Sequence, residues 1–251
     1  GGAAGAGTSG GARAPGSASP RGARSLLADV WPLAPLSLLL FIGFRSLPTS
    51  AAYGGRPVKG EELDSLRAFV EQQCRAHADR YHFDLQLQSA YSVDRPSLQQ
   101  RFEEFQGSLR KERKSSNPQR MFHGTSFLNA QCILRDGFAL PKSSGMFGKG
   151  IYFADCPLKS WQYCRWNGPM LLCDVELGHT RVQRKAKSNM EPDRDFKRSW
   201  LMRMLGGADY DSVTAQCCVR VPEYVIYRPE QAIPRYVLIL EQTRKQKAQR
   251  T

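Results

Sequence analysis

Glu223 opens the run Tyr224-Val225-Ile226-Tyr227. Charged residues are depleted from strands, so a carboxylate at that place favours a chemical role over an exposed strand start. Ser160 and Tyr163 are three residues apart behind Pro157, a spacing that puts a hydroxyl and an aromatic ring on one helical face, presented to the same partner. Gly145, Gly148 and Gly150 surround Met146, Phe147 and Lys149 and turn the backbone tightly before the apolar Ile151-Tyr152-Phe153-Ala154. That turn is not a dinucleotide fingerprint. After Gly148 and Gly150 the next position required to be Gly or Ala is Phe153, and no long strand and helix alternation follows, which disfavours a Rossmann dehydrogenase. The seven cysteines (Cys74, Cys132, Cys156, Cys164, Cys173, Cys217, Cys218) contain no CxxC and are odd in number, which excludes a disulfide scaffold. His77, His82, His123 and His179 do not stand beside them at metal-ligand spacing, so reduced thiols and no metal are expected.

The elements that must position these groups can be read from periodicity. Leu63, Leu66, Phe69, Val70 and Cys74 recur at three- and four-residue steps without Pro or Gly and predict an amphipathic helix. Phe83, Leu85 and Leu87 alternate with Asp84, Gln86 and Gln88 as in a half-buried strand. Ser97 to Arg113 reads as a second helix, ending in the polar run Lys114 to Gln119. Phe127, Ala130, Ile133 and Leu134 share a helical face, with Ser126 as its cap and Gly137 placed to end it in a left-handed turn. Asp155 is the expected cap of the helix that carries Ser160 and Tyr163. Leu171, Cys173, Val175 and Leu177 predict a strand closed by Gly178, and two more strands follow over Glu223–Tyr227 and Tyr236–Leu240, joined by a turn through Pro229 and Pro234. Short antiparallel strands with helices between them give an α+β class.

The chain has 251 residues, of which 41% are hydrophobic, with 12 Phe, 9 Tyr and 4 Trp, enough to bury a full core. Lys and Arg number 36 against 23 Asp and Glu, for a net charge of +13 that is spread along the chain rather than held in a tail. Between Arg181 and Arg203 eight basic residues (Arg181, Arg184, Lys185, Lys187, Arg194, Lys197, Arg198, Arg203) face three acids (Glu191, Asp193, Asp195), a stretch expected to be a solvated loop that favours an anionic ligand or acceptor nearby. No recognition helix or stacked aromatic run accompanies it, so nucleic-acid binding is left open. The sequence begins at Gly1 without Met, as a fragment would. Residues 1–60 read as a leader: the first 25 are almost all Gly, Ala, Ser, Pro and Arg, and Leu26 to Phe44 is an apolar stretch broken by Asp29, Pro32 and Pro35. Its unbroken part, Leu36 to Phe44, is far below the ~20 apolar residues a membrane helix needs, so no stable membrane span is expected. Arg13, Arg21 and Arg24 before it and small residues after it fit a signal or transit sequence; a short linker with no address fits as well. The location follows that choice: cytoplasmic or nuclear without a targeting signal, organellar or secreted with one. The folded domain is placed at 61–251.

Four blocks, taken together, resemble the poly(ADP-ribose) polymerase catalytic domain, a member group of the diphtheria-toxin-like ADP-ribosyltransferases. They are His123-Gly124-Thr125; Met146-Phe147-Gly148-Lys149-Gly150-Ile151-Tyr152-Phe153-Ala154; Lys159-Ser160 with Tyr163; and Glu223-Tyr224-Val225-Ile226-Tyr227, in the family's order. The last block, continued through Arg228-Pro229-Glu230-Gln231-Ala232, is similar to the tankyrase branch, and Tyr210-Asp211-Ser212-Val213 is similar to the mono-transferring members. The likeness runs from about Phe83 to Leu240. No counterpart of the DNA-binding fingers or helical regulatory domain precedes it in this sequence. The tankyrase zinc insertion has no room in the six residues between Tyr163 and Met170.

The resemblance implies the ADP-ribosyltransferase fold, two packed and mostly antiparallel sheets with flanking helices. It also implies NAD as substrate, with no metal. Cleaving the nicotinamide–ribose bond develops oxocarbenium-like charge on the sugar, and a carboxylate beside it stabilises that charge. By resemblance Glu223 is this group, touching the ribose 2′-OH and helping the acceptor attack. Tyr152 and Tyr163 would cover the two faces of the nicotinamide ring, and Gly124 backbone groups with the Ser160 hydroxyl would hold its carboxamide. His123 would bind the adenine-side ribose, and Lys159, by default an exposed helix lysine, would favour the pyrophosphate or the acceptor. His179 receives no role. The implied enzyme is a pentosyltransferase that passes ADP-ribose to protein acceptors, one unit at a time or as a growing chain, elongation being permitted by the set His123, Tyr152 and Glu223. An NAD glycohydrolase and a catalytically silent NAD- or ADP-ribose-binding module are the alternatives.

Overall fold

A computed structural model describes residues 55–112, 116, 118–164, 168–216 and 220–244, all within the compact unit that begins at Leu47. Residues 1–54 of the expected 1–60 leader, Cys217 and Cys218, and part of the polar run after Arg113 lie outside the described residues.

A two-residue strand β1 (Arg56–Pro57) leads into helix α1 (Gly60–Arg75), where Leu66, Val70 and Cys74 step by four along one buried face. That face packs on β2 (Phe83–Ser92). The predicted alternation holds from Phe83 to Gln88 and is then broken by a bulge between Leu87 and Ser89, after which Ala90 and Tyr91 are both buried. A bulge shifts the inside-outside pattern by one residue, so the strand outruns its periodic signal. Helix α2 (Pro96–Lys111) carries Pro in its first turn and buries Leu98, Phe102, Phe105 and Leu109. Helix α3 (Phe127–Asp136) is capped by the Ser126 hydroxyl, which accepts the Asn129 N–H at 3.3 Å. It ends at Gly137 with φ 90° and ψ −178°, a glycine conformation but not the left-handed helical turn expected there.

With β3 (Gln119–Gly124), β5 (Met170–Val175) and β9 (Ala232–Arg244), the first two strands form the larger sheet, in the order β1-β2-β9-β5-β3 and antiparallel throughout. The smaller sheet comprises β4 (Ile151–Phe153), β6 (Thr180–Gln183), β7 (Ser212–Ala215) and β8 (Glu223–Ile226), in the order β4-β8-β7-β6; only β6 and β7 pair in parallel. This is the α+β arrangement of two mostly antiparallel sheets. A short helix, α4 (Pro157–Trp161), follows β4. Two expectations are corrected. Pro234 lies inside β9 rather than in the joining turn, and the ladder tolerates it because it sits where the β5–β9 register shifts between Leu172 and Cys173. The joining turn itself is the single 3-10 turn Pro229–Gln231. The basic stretch is not all loop: it begins in β6 and contains two short helices, α5 (Pro192–Asp195) and α6 (Trp200–Met204), too short to leave a period in sequence.

The two sheets share a core. Ile151, Phe153 and Ile226 of the smaller sheet join Leu171, Cys173 and Val237 of the larger, with Ala130, Ile133 and Leu134 of α3 against them. Burying each of the Val, Leu, Ile and Phe side chains is worth roughly 1.5–3 kcal/mol relative to leaving it exposed. On the other face of the smaller sheet, Val213, Ala215 and Val225 pack with Phe147, Met190, Phe196 and Tyr227. Alternation along β4 and β8 therefore turns Tyr152, Val225 and Glu223 to one side and Phe153 and Ile226 to the other.

Candidate active site

Phe122 and Ala154 exchange backbone hydrogen bonds of 2.8 and 3.1 Å, and this isolated bridge ties the edge strand β3 to the end of β4. Beyond it the strands part. In continued register Gly124 would meet Tyr152, but the Tyr152 carbonyl instead receives Nδ1 of His123 at 2.9 Å. Gly124, two residues after Phe122, turns its N–H and C=O to the same opened edge, where no strand takes them.

The opening is a cleft of about 700 Å³ lined by His123, Gly124, Tyr152, Lys159, Ser160, Tyr163 and Glu223. Every residue expected to form the site is thus brought to one cavity, of a size that suits a small-molecule ligand. A carbonyl only accepts, so Nδ1 of His123 carries the proton and Nε2 is left for the cleft. The imidazole rests against Phe138 and Phe153, with centroids 5.2 and 5.3 Å away, and burial holds its pKa below the ordinary 6.5.

Tyr152 is fixed from the glycine turn. Its hydroxyl accepts the Phe147 N–H at 2.9 Å and donates to the Gly148 carbonyl at 3.0 Å. Gly148 has φ 82°, so only glycine takes this turn without strain, and Gly145 and Gly148 bond each other across it. Burial pushes the Tyr152 phenol up to about 12, so it stays protonated and presents a ring rather than a charge. The turn is backed by the β6–β7 connection, where Lys187 N–H donates to the Met146 carbonyl at 2.8 Å.

Helix α4 supplies the other wall. Its cap is Cys156 with no side-chain hydrogen bond, not Asp155, which accepts from the Tyr224 hydroxyl at 3.3 Å. Ser160 is buried and its hydroxyl donates to the Phe122 carbonyl at 3.0 Å, which uses its proton but leaves lone pairs to accept from an amide. Tyr163 lies beyond the helix, which stops at Trp161, in a turn closed by its N–H to the Ser160 carbonyl at 3.0 Å. The expected common helical face is therefore replaced by a buried hydroxyl and a ring that is 52% exposed.

Glu223 is not an exposed strand start. It is paired with Ala215 of β7, its side chain is 6% exposed, and Oε1 lies 3.0 Å from Lys159 Nζ. Lys159 in turn is 12% exposed rather than solvated, and its ammonium stands 5.9 Å from the centre of the Tyr163 ring. Its charge is committed to Glu223, which removes the expectation of a freely exposed anion-binding lysine. His179 lines no part of the cleft; it stacks on Tyr210 and meets Arg198.

Asn129, Cys132 and Phe138 also line the cleft, and the sequence motifs do not point to them. Asn129 and Cys132 lie three apart on the exposed side of α3, a spacing that could have marked them; Phe138, alone after Gly137, leaves no such signal. Among the described residues no group of three or more His, Cys, Asp or Glu is placed to hold a metal ion. No described helix is long and apolar enough to cross a membrane.

The poly(ADP-ribose) polymerase catalytic-domain family model matches residues 67–242. The chain is 29% identical over 183 residues to poly [ADP-ribose] polymerase 1 of Oryza sativa subsp. japonica, covering 62% of this chain and 18% of the relative. It is 31% identical over 133 residues to poly [ADP-ribose] polymerase 1 of Xenopus laevis, covering 49% and 13%, and 33% identical over 129 residues to poly [ADP-ribose] polymerase of Drosophila melanogaster, covering 47% and 12%. The chain thus spans less than a fifth of the length of these relatives. With the glycine turn, the parted strands and the buried carboxylate all inside the matched residues, this chain belongs to the poly(ADP-ribose) polymerase catalytic-domain family.

Proposed function

We propose that the protein is an NAD-dependent ADP-ribosyltransferase that cleaves the nicotinamide–ribose bond and passes ADP-ribose to protein acceptors. The observation that carries this reading is the Glu223 carboxylate, almost wholly buried yet lining the cleft, with Lys159 paired to it at 3.0 Å. A carboxylate fixed beside a ligand-sized opening suits stabilisation of a cationic sugar. In this reading the nicotinamide ring lies against Tyr152 and Tyr163, and its carboxamide bonds Gly124 backbone groups and donates to the Ser160 hydroxyl. His123 holds the distal ribose through Nε2. The glycosidic C–N bond breaks with its electron pair leaving on neutral nicotinamide, and an acceptor oxygen or nitrogen forms the new bond to the ribose carbon as it loses its proton.

Incubation of the purified chain with NAD labelled in its adenylate half tests the proposal. Label attached to protein is the expected result. Free ADP-ribose alone would assign a glycohydrolase, and no turnover with intact NAD binding would assign a silent binding module. The length of the attached product separates single transfer from elongation.

A further inference from the structure

Helix α6 has no buried residue, and what it exposes is apolar: Trp200 at 70%, Leu201 at 53%, Met202 at 43%, Met204 at 73%, followed by Leu205 at 76%. Five of the ten large hydrophobic side chains exposed among the described residues are thus gathered in six consecutive positions. At about 100° per residue they sweep an arc of about 200°, and Arg203 holds the remaining side. A patch of this kind marks an interaction surface. Trp and Leu over a broad arc, with Arg on the remaining side, is the make-up of a helix that lies in a membrane interface.

The base of the projection is fixed. Ser199 caps Met202, Gly207 N–H donates to the Met202 carbonyl at 2.8 Å, and Arg198 N–H donates to Asp209 at 2.9 Å. The charges around it are sorted. Lys187 and Arg194 pair with Asp195, Arg181 donates to the Asp195 carbonyl, and Arg198 lies over Tyr210. Lys197 and Arg203 are exposed and have no ion pair among the described residues.

We infer that residues 197–205 are a membrane-surface contact, seating Trp200, Leu201, Met204 and Leu205 in the interface of a bilayer that contains anionic lipid, with Lys197 and Arg203 on its headgroups. A nucleic acid would satisfy the cations but leave the apolar projection in water.

The full chain is sedimented with phosphatidylcholine vesicles, with and without phosphatidylserine, at low and high salt. Expected are partition onto the phosphatidylserine vesicles, loss of it at high salt, and a drop on the order of tenfold for either Trp200→Ser/Leu205→Ser or Lys197→Gln/Arg203→Gln. Melting temperatures stay unchanged, because all four side chains are exposed. The inference is overturned by no partition onto acidic vesicles, by partition that both double variants retain, or by preferential retention on a nucleic acid. It is also overturned by a concentration-dependent dimer that Trp200→Ser/Leu205→Ser abolishes, which would mean that a second copy covers the patch.

Discussion

A Cβ on Gly124 would lie 1.8 Å from the carbonyl oxygen of Ser160 and 2.8 Å from its carbonyl carbon. The end of β3 and helix α4 therefore touch backbone to backbone, and this contact sets the distance between the Gly124 edge groups and the Ser160 hydroxyl. No flexible side chain is present to yield. Gly124→Ala forces strand and helix apart, at an expected cost of about 3 kcal/mol or more. Denaturant midpoints together with calorimetric binding of a nicotinamide mimic check this; wild-type values for both would contradict the contact.

The pairing of Lys159 with Glu223 predicts strong coupling. Lys159→Met leaves a carboxylate buried without its partner, which should destabilise by about 3 kcal/mol. Adding Glu223→Gln removes the stranded charge and should restore part of that loss. A double-mutant cycle in urea measures the coupling. Strictly additive losses would show that the two groups do not act as a pair.

His123 predicts a pH dependence of stability. Its folded pKa lies below the ordinary 6.5, because burial disfavours the imidazolium. Above about pH 6.5 the ring is neutral folded or unfolded, and its contribution is intact; as pH falls, the unfolded chain takes up a proton that the folded chain refuses, and stability is lost until the depressed folded pKa is passed. His123→Gln should flatten this part of the profile between about pH 7 and 5. Unfolding free energies measured across that range for both proteins decide it, and parallel curves would remove the effect from His123.

Tyr163 is half exposed and outside α4, so its ring is free to serve a ligand at little structural expense. Tyr163→Ala should weaken a nicotinamide mimic by about 1 kcal/mol or more while leaving the melting temperature within roughly two degrees. Unchanged affinity would show that the ring does not stack.

The elements with a clean period are legible in the sequence: α1, the first half of β2, α2, and α3 with its Ser126 cap all follow from apolar spacing. What escapes is decided by tertiary contact. The bulge after Leu87 hides the rest of β2, and β6 and β7 are four residues each, too short for a period to register. The candidate site residues are legible as motif blocks through the family resemblance, which His123-Gly124-Thr125, the glycine turn and the strand-opening Glu223 carry. Their partners are not. Lys159 reads as a solvated helix lysine, since nothing in sequence brings Glu223, 64 positions on, to within 3.0 Å. Gln231 is equally silent, although its buried side chain accepts from Tyr227 and Arg228 and donates to the Glu176 and Asp211 carbonyls, closing the β8–β9 turn onto both sheets.

The central claim concerns the carboxylate alone. Glu223→Gln keeps the shape of the side chain and removes its charge, so the variant should bind NAD as the wild type does and lose most transfer of label from NAD. Side-by-side measurement of NAD affinity and labelled product gives the answer: retained binding with product reduced by about a hundredfold or more is the predicted result, and undiminished product from Glu223→Gln would contradict the account.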